Sequence, residues 1–497
     1  MSAARWLVLI VALALASLAV VRLEADGRGL ERVPLLVGDT PATVWRRADV
    51  ADAPVVVIAH GFAGSRQLMD SFALTLAQAG YIAVSFDFAG HGRNPVPMSG
   101  DVTVVEGTTR VLMDELGRVS DAALALPGAD GRLALVGHSM ASDVVVRQAI
   151  RDPRVGAVVA VSMFSTAVTP QEPANLLVIA GEWEGMLAAE ALKALRLADR
   201  AAVLGQTVGD PVAGTGRRAV LSPNTEHVSV LYAPATLRET RDWLDLAFGR
   251  DSDGPVARRG GWIALLMTSV VALGWPLAGL ARRVRAVEPP VRLSRGLFLL
   301  AVLGPALVTP MILWPFDTRF LPVLVADYLA LHFLLYGLLG LAVLAYGRAP
   351  RVDLTALLLA VVVAVFGIGL FGGMLDRYVA AFFPTPERAA IIAAMAVGAV
   401  PFMLADAYLT EGGRAPLWRV LLARGMALGS LGLAVALDFE RLFFLVIILP
   451  VILLFFLLFG TVGGWVGRAS WRPAAAGIGL GVFLAWALGV TFPLFAA

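Results

Sequence analysis

A serine set between a strand-like run and a helix-like run is the first group in this chain that could do covalent chemistry. Gly137-His138-Ser139-Met140-Ala141 follows the apolar run Leu133–Val136 and leads into ASDVVVRQAI. A strand, a sharp turn and a helix are what a nucleophile elbow requires, because they lift the serine hydroxyl out of the fold on a strained backbone. The usual pattern closes on Gly; here Ala141 stands in that place, one methyl group larger. The competing reading is a serine that only caps a helix. A second segment, His60-Gly61-Phe62-Ala63-Gly64-Ser65, follows the run VVVIA. Acyl transfer develops a negative oxygen that needs fixed N–H donors, one from such a loop and one from the residue after the nucleophile. The expected donors are the backbone amides of Phe62 and Met140. His60, with Gly61, is expected to brace that loop and not to carry a proton.

An activated serine also needs a base and an acid, which follow it in that order: serine, acid, histidine. The acid belongs in the loop after the run LLVIA, within GEWEG, where Glu182 and Glu184 both qualify. Glu184 is preferred, since it lies three residues beyond Gly181; Glu182 is the runner-up. The chain has five histidines. His60, His91 and His138 precede the acid and His332 lies in a long apolar stretch, which leaves His227, in SPNTEHVSVLY, as the base. A neutral imidazole there takes the serine proton and returns it to the leaving group, while the acid holds its tautomer.

HGFAGS, SFDFAGHGRNP, GHSMA, GEWEG and EHVSVL together resemble the α/β-hydrolase superfamily, and most of all its dienelactone-hydrolase-like and serine-aminopeptidase-like branches. The resemblance covers about residues 31–250. It implies an acyl-enzyme mechanism but no particular substrate, because the fold hosts many chemistries. Only about 45 residues separate Ser139 from Glu184, too few for a helical cap, so an open site is expected.

These groups must be positioned by a parallel sheet flanked by helices. Strand-like runs stand at Val55–Ala59, Ile82–Phe86, Leu133–Val136, Val158–Ser162 and Leu176–Ala180, after a leading hairpin at Val33–Val37 and Ala42–Arg46. Near-continuous apolar runs of this kind suit strands buried on both faces. Helix candidates alternate with them at Ser65–Ala79, Val104–Ala125, Ser139–Ile150, Met186–Leu197 and Pro234–Leu246.

The rest of the chain is far more apolar. Hydrophobic residues make up 58% of the 497, and the mean hydropathy is +0.77. The excess lies in residues 1–23 and after about Gly260, with 251–260 a polar linker. Trp6–Val21 reads as a signal peptide or an uncleaved anchor, and the anchor is preferred because no clear A-x-A site precedes Arg22. Residues 261–497 hold eight runs long enough to cross a bilayer, near 261–280, 296–315, 320–346, 353–372, 389–410, 419–437, 442–464 and 474–495. The fold class is therefore an α/β-hydrolase domain joined to a polytopic all-α transmembrane bundle. Arginines mark alternate loops: Arg282, Arg283, Arg285, Arg292 and Arg295, then Arg348 and Arg351, Arg414 and Arg419, Arg468 and Arg472. Loops rich in arginine face the cytoplasm, which places the hydrolase domain on the outer side of a membrane, expected to be the bacterial inner membrane.

No cysteine is present, so thiolate ligands, disulfides and a cysteine nucleophile are excluded. A net charge of +2 gives no footing for nucleic acid. Neither a cofactor nor a metal is expected. Asp327 and His332 share one apolar run but lie about 140° apart on a helix, a poor shared metal face. The expected function is hydrolysis of carboxylic esters, including acyl lipids, with membrane lipids as surroundings. Two alternatives stand beside it: an acyltransferase to a membrane acceptor, and a transporter or receptor whose hydrolase-like domain only binds ligand. The sequence gives no oligomeric state.

Overall fold

The computed structural model describes residues 2–102, 104–286, 292–318, 320–347 and 351–496. Arg348, one of the loop arginines, lies outside them. The chain forms two compact units, and each draws on more than one stretch of sequence.

One unit comprises Ala19–Ala264, Asp376–Ala381 and Pro493–Ala497. The helix α1 (Ala3–Ala25) ends in it. A nine-stranded sheet follows, made of β1 (Leu30–Val37), β2 (Thr40–Arg47), β3 (Ala53–Ala59), β4 (Ile82–Phe86), β5 (Ala129–His138), β6 (Val155–Val161), β7 (Leu176–Gly181), β8 (Thr207–Val208) and β9 (Arg217–Ser222). Its order is β1-β2-β4-β3-β5-β6-β7-β9-β8. The strands from β4 to β9 run parallel, while β1, β2 and β8 join antiparallel at the edges. This is an α/β-hydrolase fold.

Helices cover both faces of the sheet, as parallel strands require. On one face lie α3 (Arg110–Leu124), α4 (Met140–Arg151) and α5 (Gly185–Ala198), which bury Leu116, Val145 and Leu195 against the odd-facing residues of β3 and β5. On the other lie α2 (Asp70–Gln78) and α6 (Pro234–Ala247), with Phe72, Leu76, Trp243 and Leu244 buried over Val56 and Ile58. The strands Ile82–Phe86 and Leu176–Gly181 match the apolar runs closely. β8 and β9 are the strands that the apolar runs do not show: β8 is only two residues long, and Arg217 and Arg218 open β9. Arg217 is buried all the same, since its guanidinium donates to the carbonyls of Thr169 and Glu172.

The other unit comprises Met1–Leu18, Leu265–Leu375 and Phe382–Phe492. Its helices are α7 (Arg259–Ala278, which begins in the first unit), α8 (Arg295–Leu313), α9 (Ala326–Gly347), α10 (Leu354–Val365), α11 (Gly372–Tyr378), α12 (Ala389–Leu409), α13 (Leu417–Leu437), α14 (Phe439–Leu442), α15 (Leu445–Ser470) and α16 (Pro473–Thr491). With α1, the described residues hold nine helices long and apolar enough to cross a membrane, α10 and α11 counting as one through a π-helical turn at Phe366–Phe371. Glycines let them pack closely. A side chain at Gly398 would meet Ala330 O at 2.1 Å, and one at Gly481 would meet Val400 Cα at 2.6 Å. Buried charges pair: Arg424 with Asp406 at 3.0 Å and Arg419 with Glu411 at 2.8 Å. His332 lies 3.1 Å from Ser430 Oγ on α13, whereas Asp327 accepts from Phe320 N and Tyr328 N. The two bond separately.

Candidate active site

Ser139 sits at the turn between β5 and α4 with φ 54° and ψ −118°, a region that non-glycine residues avoid. The neighbouring small residues follow from that turn. A side chain on Gly137 would come within 2.5 Å of Ala141 O, and one on Gly61 within 3.0 Å of Ser139 Cβ. Ala141 itself is fully buried beneath the elbow.

Ser139 Oγ stands 2.9 Å from His227 Nε2, and His227 Nδ1 stands 2.5 Å from Glu184 Oε1. The three residues come from the ends of β5, β7 and β9, whose parallel alignment brings their C-terminal loops to one edge of the sheet. The acid and base loops are also tied to each other: Trp183 N donates to Thr225 O at 3.0 Å, and Glu182 N to Ser222 O at 2.9 Å. Gly181 permits this closeness, since a side chain there would meet Thr225 O at 2.6 Å. Of the two candidate acids, Glu184 reaches the histidine. Glu182 instead accepts from Asn224 N at 2.7 Å.

Burial alone would raise the Glu184 carboxyl, but hydrogen bonds from His227, Gly181 N (2.6 Å) and Ser162 Oγ (2.7 Å) outweigh it and hold the group below its ordinary value. It therefore stays ionised. Ser162 was not among the expected site residues. It lies one residue past β6 with φ 53°, and nothing in its local sequence marks it.

His138 is a second such residue. Its Nε2–H donates to His227 O at 2.9 Å, and burial, reinforced by the neighbouring His227, lowers its pKa to about 3. It is a neutral ring that holds the backbone at His227.

The loop after β3 carries His60, Gly61 and Phe62. His60 is fully buried; Phe88 N donates to its Nε2 at 3.1 Å, and its Nδ1–H donates to Gly61 O at 2.8 Å. Ser65 Oγ accepts from Ala381 N at 2.9 Å. Beside it, buried Asp87 accepts from Arg66 N and Arg93 N and pairs with the Arg66 guanidinium. Met140 opens α4, so its N–H has no acceptor within the helix. No helix stands between β6 and β7 or between β7 and α5, so no cap of that kind covers the site among the described residues. Phe164, Trp183, Met186 and Val228, all following strands or flanking the triad residues, are exposed. Among the described residues no three histidine or carboxylate groups cluster in a way that could hold a metal ion.

A doubly covered parallel sheet with a strained serine after its fifth strand defines an α/β-hydrolase segment within this chain. Residues 51–219 match the family model described as serine aminopeptidase, S33. The chain therefore carries a hydrolase-family domain. No curated protein matches the chain. Among solved structures it is similar to the epoxide hydrolase VrEH1 from Vigna radiata, with 23% identity over 28% of this chain and 41% of that one and a TM-score of 0.22. It thus spans about two fifths of that relative's length. It is also similar to a protein assigned as a dienelactone hydrolase from Klebsiella pneumoniae, at 16% identity, 45% and 99% coverage and a TM-score of 0.35. A third is a membrane phospholipase A described as a bacterial virulence factor, at 16% identity, 47% and 91% coverage and a TM-score of 0.32.

Proposed function

We propose that this protein is a membrane-embedded serine hydrolase that cleaves carboxylic esters, acyl lipids among them, through an acyl-enzyme. The reading is carried by the unbroken relay from Ser139 Oγ through His227 to Glu184, at 2.9 and 2.5 Å. Ser139 Oγ attacks the ester carbonyl as His227 Nε2 takes its proton, and Glu184 stabilises the imidazolium that results. The carbonyl oxygen becomes an oxyanion held by the N–H groups of Phe62 and Met140. His227 then gives its proton to the departing alcohol, leaving Ser139 acylated. Water repeats the cycle: its proton goes to His227, its oxygen to the acyl carbon, and Ser139 is released.

The exposed apolar side chains around the triad favour an acyl substrate over a polar one. The arginine pattern supports a multi-pass protein of the bacterial inner membrane with the hydrolase unit on the outer side. The test is labelling of the full-length protein in detergent by a fluorophosphonate. Wild type should label and Ser139→Ala should not; a label retained on another serine overturns the assignment. Product analysis with a lipid alcohol present separates hydrolysis from acyl transfer.

A further inference from the structure

Within the hydrolase unit, away from the triad, a cavity of about 210 Å³ is lined by Glu24, Arg32, Asp70, Arg259, Arg377 and Tyr378 over an apolar floor that includes Trp45. That is room for a group several times the size of a water molecule, whose share of the liquid is about 30 Å³. The charges in it do not balance. Arg377 pairs with Glu24 at 2.9 Å, and Tyr378 Oη donates to the same carboxylate at 2.8 Å. Among the described residues, Arg32 and Arg259 form no ion pair. Arg32 lies over Trp45, its guanidinium carbon 5.4 Å from the ring, and is exposed at the rim. Arg259 is 4% exposed; it gives one hydrogen bond, to Leu23 O at 3.3 Å, and its Nε is buried without a partner. A buried guanidinium left in this state is costly unless an acceptor reaches it.

Of the two carboxylates in the lining, Glu24 is engaged by Arg377 and Tyr378, and Asp70 is the other; Asp26, next to the lining, also feels the charge of Arg259. Asp70 accepts no hydrogen bond from any described residue, and burial pushes its carboxyl up to about 6 despite Arg259 and Arg32. Near neutrality Asp70 is mostly ionised, yet the guanidinium groups of Arg32, Arg259 and Arg377 still outnumber the carboxylates of Glu24 and Asp70 in the lining. Forked guanidinium donors around one small space suit a phosphate, whose oxygens take several charge-assisted bonds at once.

The cavity's place in the chain narrows the ligand further. Leu23 and Glu24 close α1, Arg259 opens α7, and Arg377 and Tyr378 close α11. All three belong to helices long and apolar enough to cross a membrane. Residues at the ends of such helices lie at headgroup depth.

We infer that this cavity binds the phosphate of a phospholipid headgroup, held by Arg32 and Arg259 with Arg377 at the rim. The occupant is bound and not cleaved there, since no nucleophile lines the cavity. A free phosphate would use the same groups, so the experiment must tell the two apart.

The full-length protein, stripped of lipid in a maltoside detergent, is titrated with three probes while Tm and Kd are read. They are a diether phosphatidylglycerol, which has no ester for Ser139 to attack, the corresponding diether glycerol without phosphate, and inorganic phosphate. The phospholipid should bind and raise Tm, and the phosphate-free lipid should not. Arg32→Gln should weaken phospholipid binding at least about tenfold, the loss of a charge-assisted contact, while leaving hydrolysis of a short soluble ester unchanged. Arg259→Gln should weaken it further; if that variant fails to fold, Arg32→Gln alone decides. Inorganic phosphate that competes only weakly identifies the lipid as the source. Inorganic phosphate that binds as tightly as the lipid keeps the phosphate site but removes the lipid from it. Equal binding of the phosphate-free lipid, or unchanged affinity in the variants, overturns the site.

Discussion

Ser162 Oγ donates to Glu184 Oε2 at 2.7 Å, while the other oxygen of that carboxylate meets His227 Nδ1. The acid is thus held at both ends, by the base in front and by a hydroxyl and Gly181 N behind. Orientation of the imidazole depends on that second grip as well as on the acid itself.

Removing the hydroxyl tests this directly. Ser162→Ala should lower kcat for a soluble ester about tenfold, since a hydrogen bond to a charged group contributes roughly 1.5–3 kcal/mol and only part of it is felt in the transition state. KM should change little, because Ser162 bonds to the acid and not to the space above the serine. An unchanged kcat would show that Gly181 N holds the carboxylate alone.

The two glutamates should separate sharply. Glu184→Gln keeps the shape but favours the wrong tautomer of His227, and kcat should fall by about three to four orders of magnitude. Glu182→Gln removes one acceptor for Asn224 N and should cost no more than a few-fold. Steady-state kinetics on both variants decides, and the opposite ranking would transfer the acid's role to Glu182.

Much of this was legible. HGFAGS, GHSMA and EHVSVL are local signals, each set by one turn's geometry, and the gap from Gly181 to Glu184 named the preferred acid. What stayed hidden depends on distant pairing. Ser162 is an unremarkable serine until β6 and β7 align side by side. His138 reads as the filler of its motif, although its ring reaches the carbonyl of His227. β9 escaped because its two leading arginines mask an apolar run, and Arg217 tolerates burial only through carbonyls supplied by another loop.

Acid should destabilise the protein partly through His138. Its pKa is about 3 when folded against an ordinary 6.5, so below 6.5 the unfolded chain binds a proton that the native state refuses. That stabilisation is complete above pH 6.5 and falls away as the pH drops towards 3. Asp70 works the opposite way: raised to about 6 from 3.8, it favours the fold below 3.8 and loses that effect as the pH rises through 6. Thermal unfolding at pH 7 and pH 5 should show the drop in Tm shrinking in His138→Gln and growing in Asp70→Asn. An identical pH dependence in all three proteins would remove both groups from the linkage.

Topology has its own readout. A reporter active only after export should work when fused after Arg250 and stay silent when placed beside Arg285. The reverse result would put the catalytic unit on the cytoplasmic side, and outer-leaflet lipids would no longer be reachable substrates.

Gly90 and Met98 flank the loop after β4, and both bond to the far end of the chain: Leu494 N donates to Gly90 O at 2.8 Å, Met98 N to Leu494 O at 2.9 Å, and Ala496 N to Met98 O at 2.7 Å. Asp376 pairs with Arg93 of the same loop at 2.6 Å, and Ala381 N reaches Ser65. Asp376 stands near the end of α11, Ala381 between α11 and α12, and Leu494 and Ala496 follow α16, so these loops are fastened by chain that lies far beyond the sheet in sequence. A fragment ending at Arg250 would keep the sheet, Ser139, Glu184 and His227 but lose every one of these fastenings.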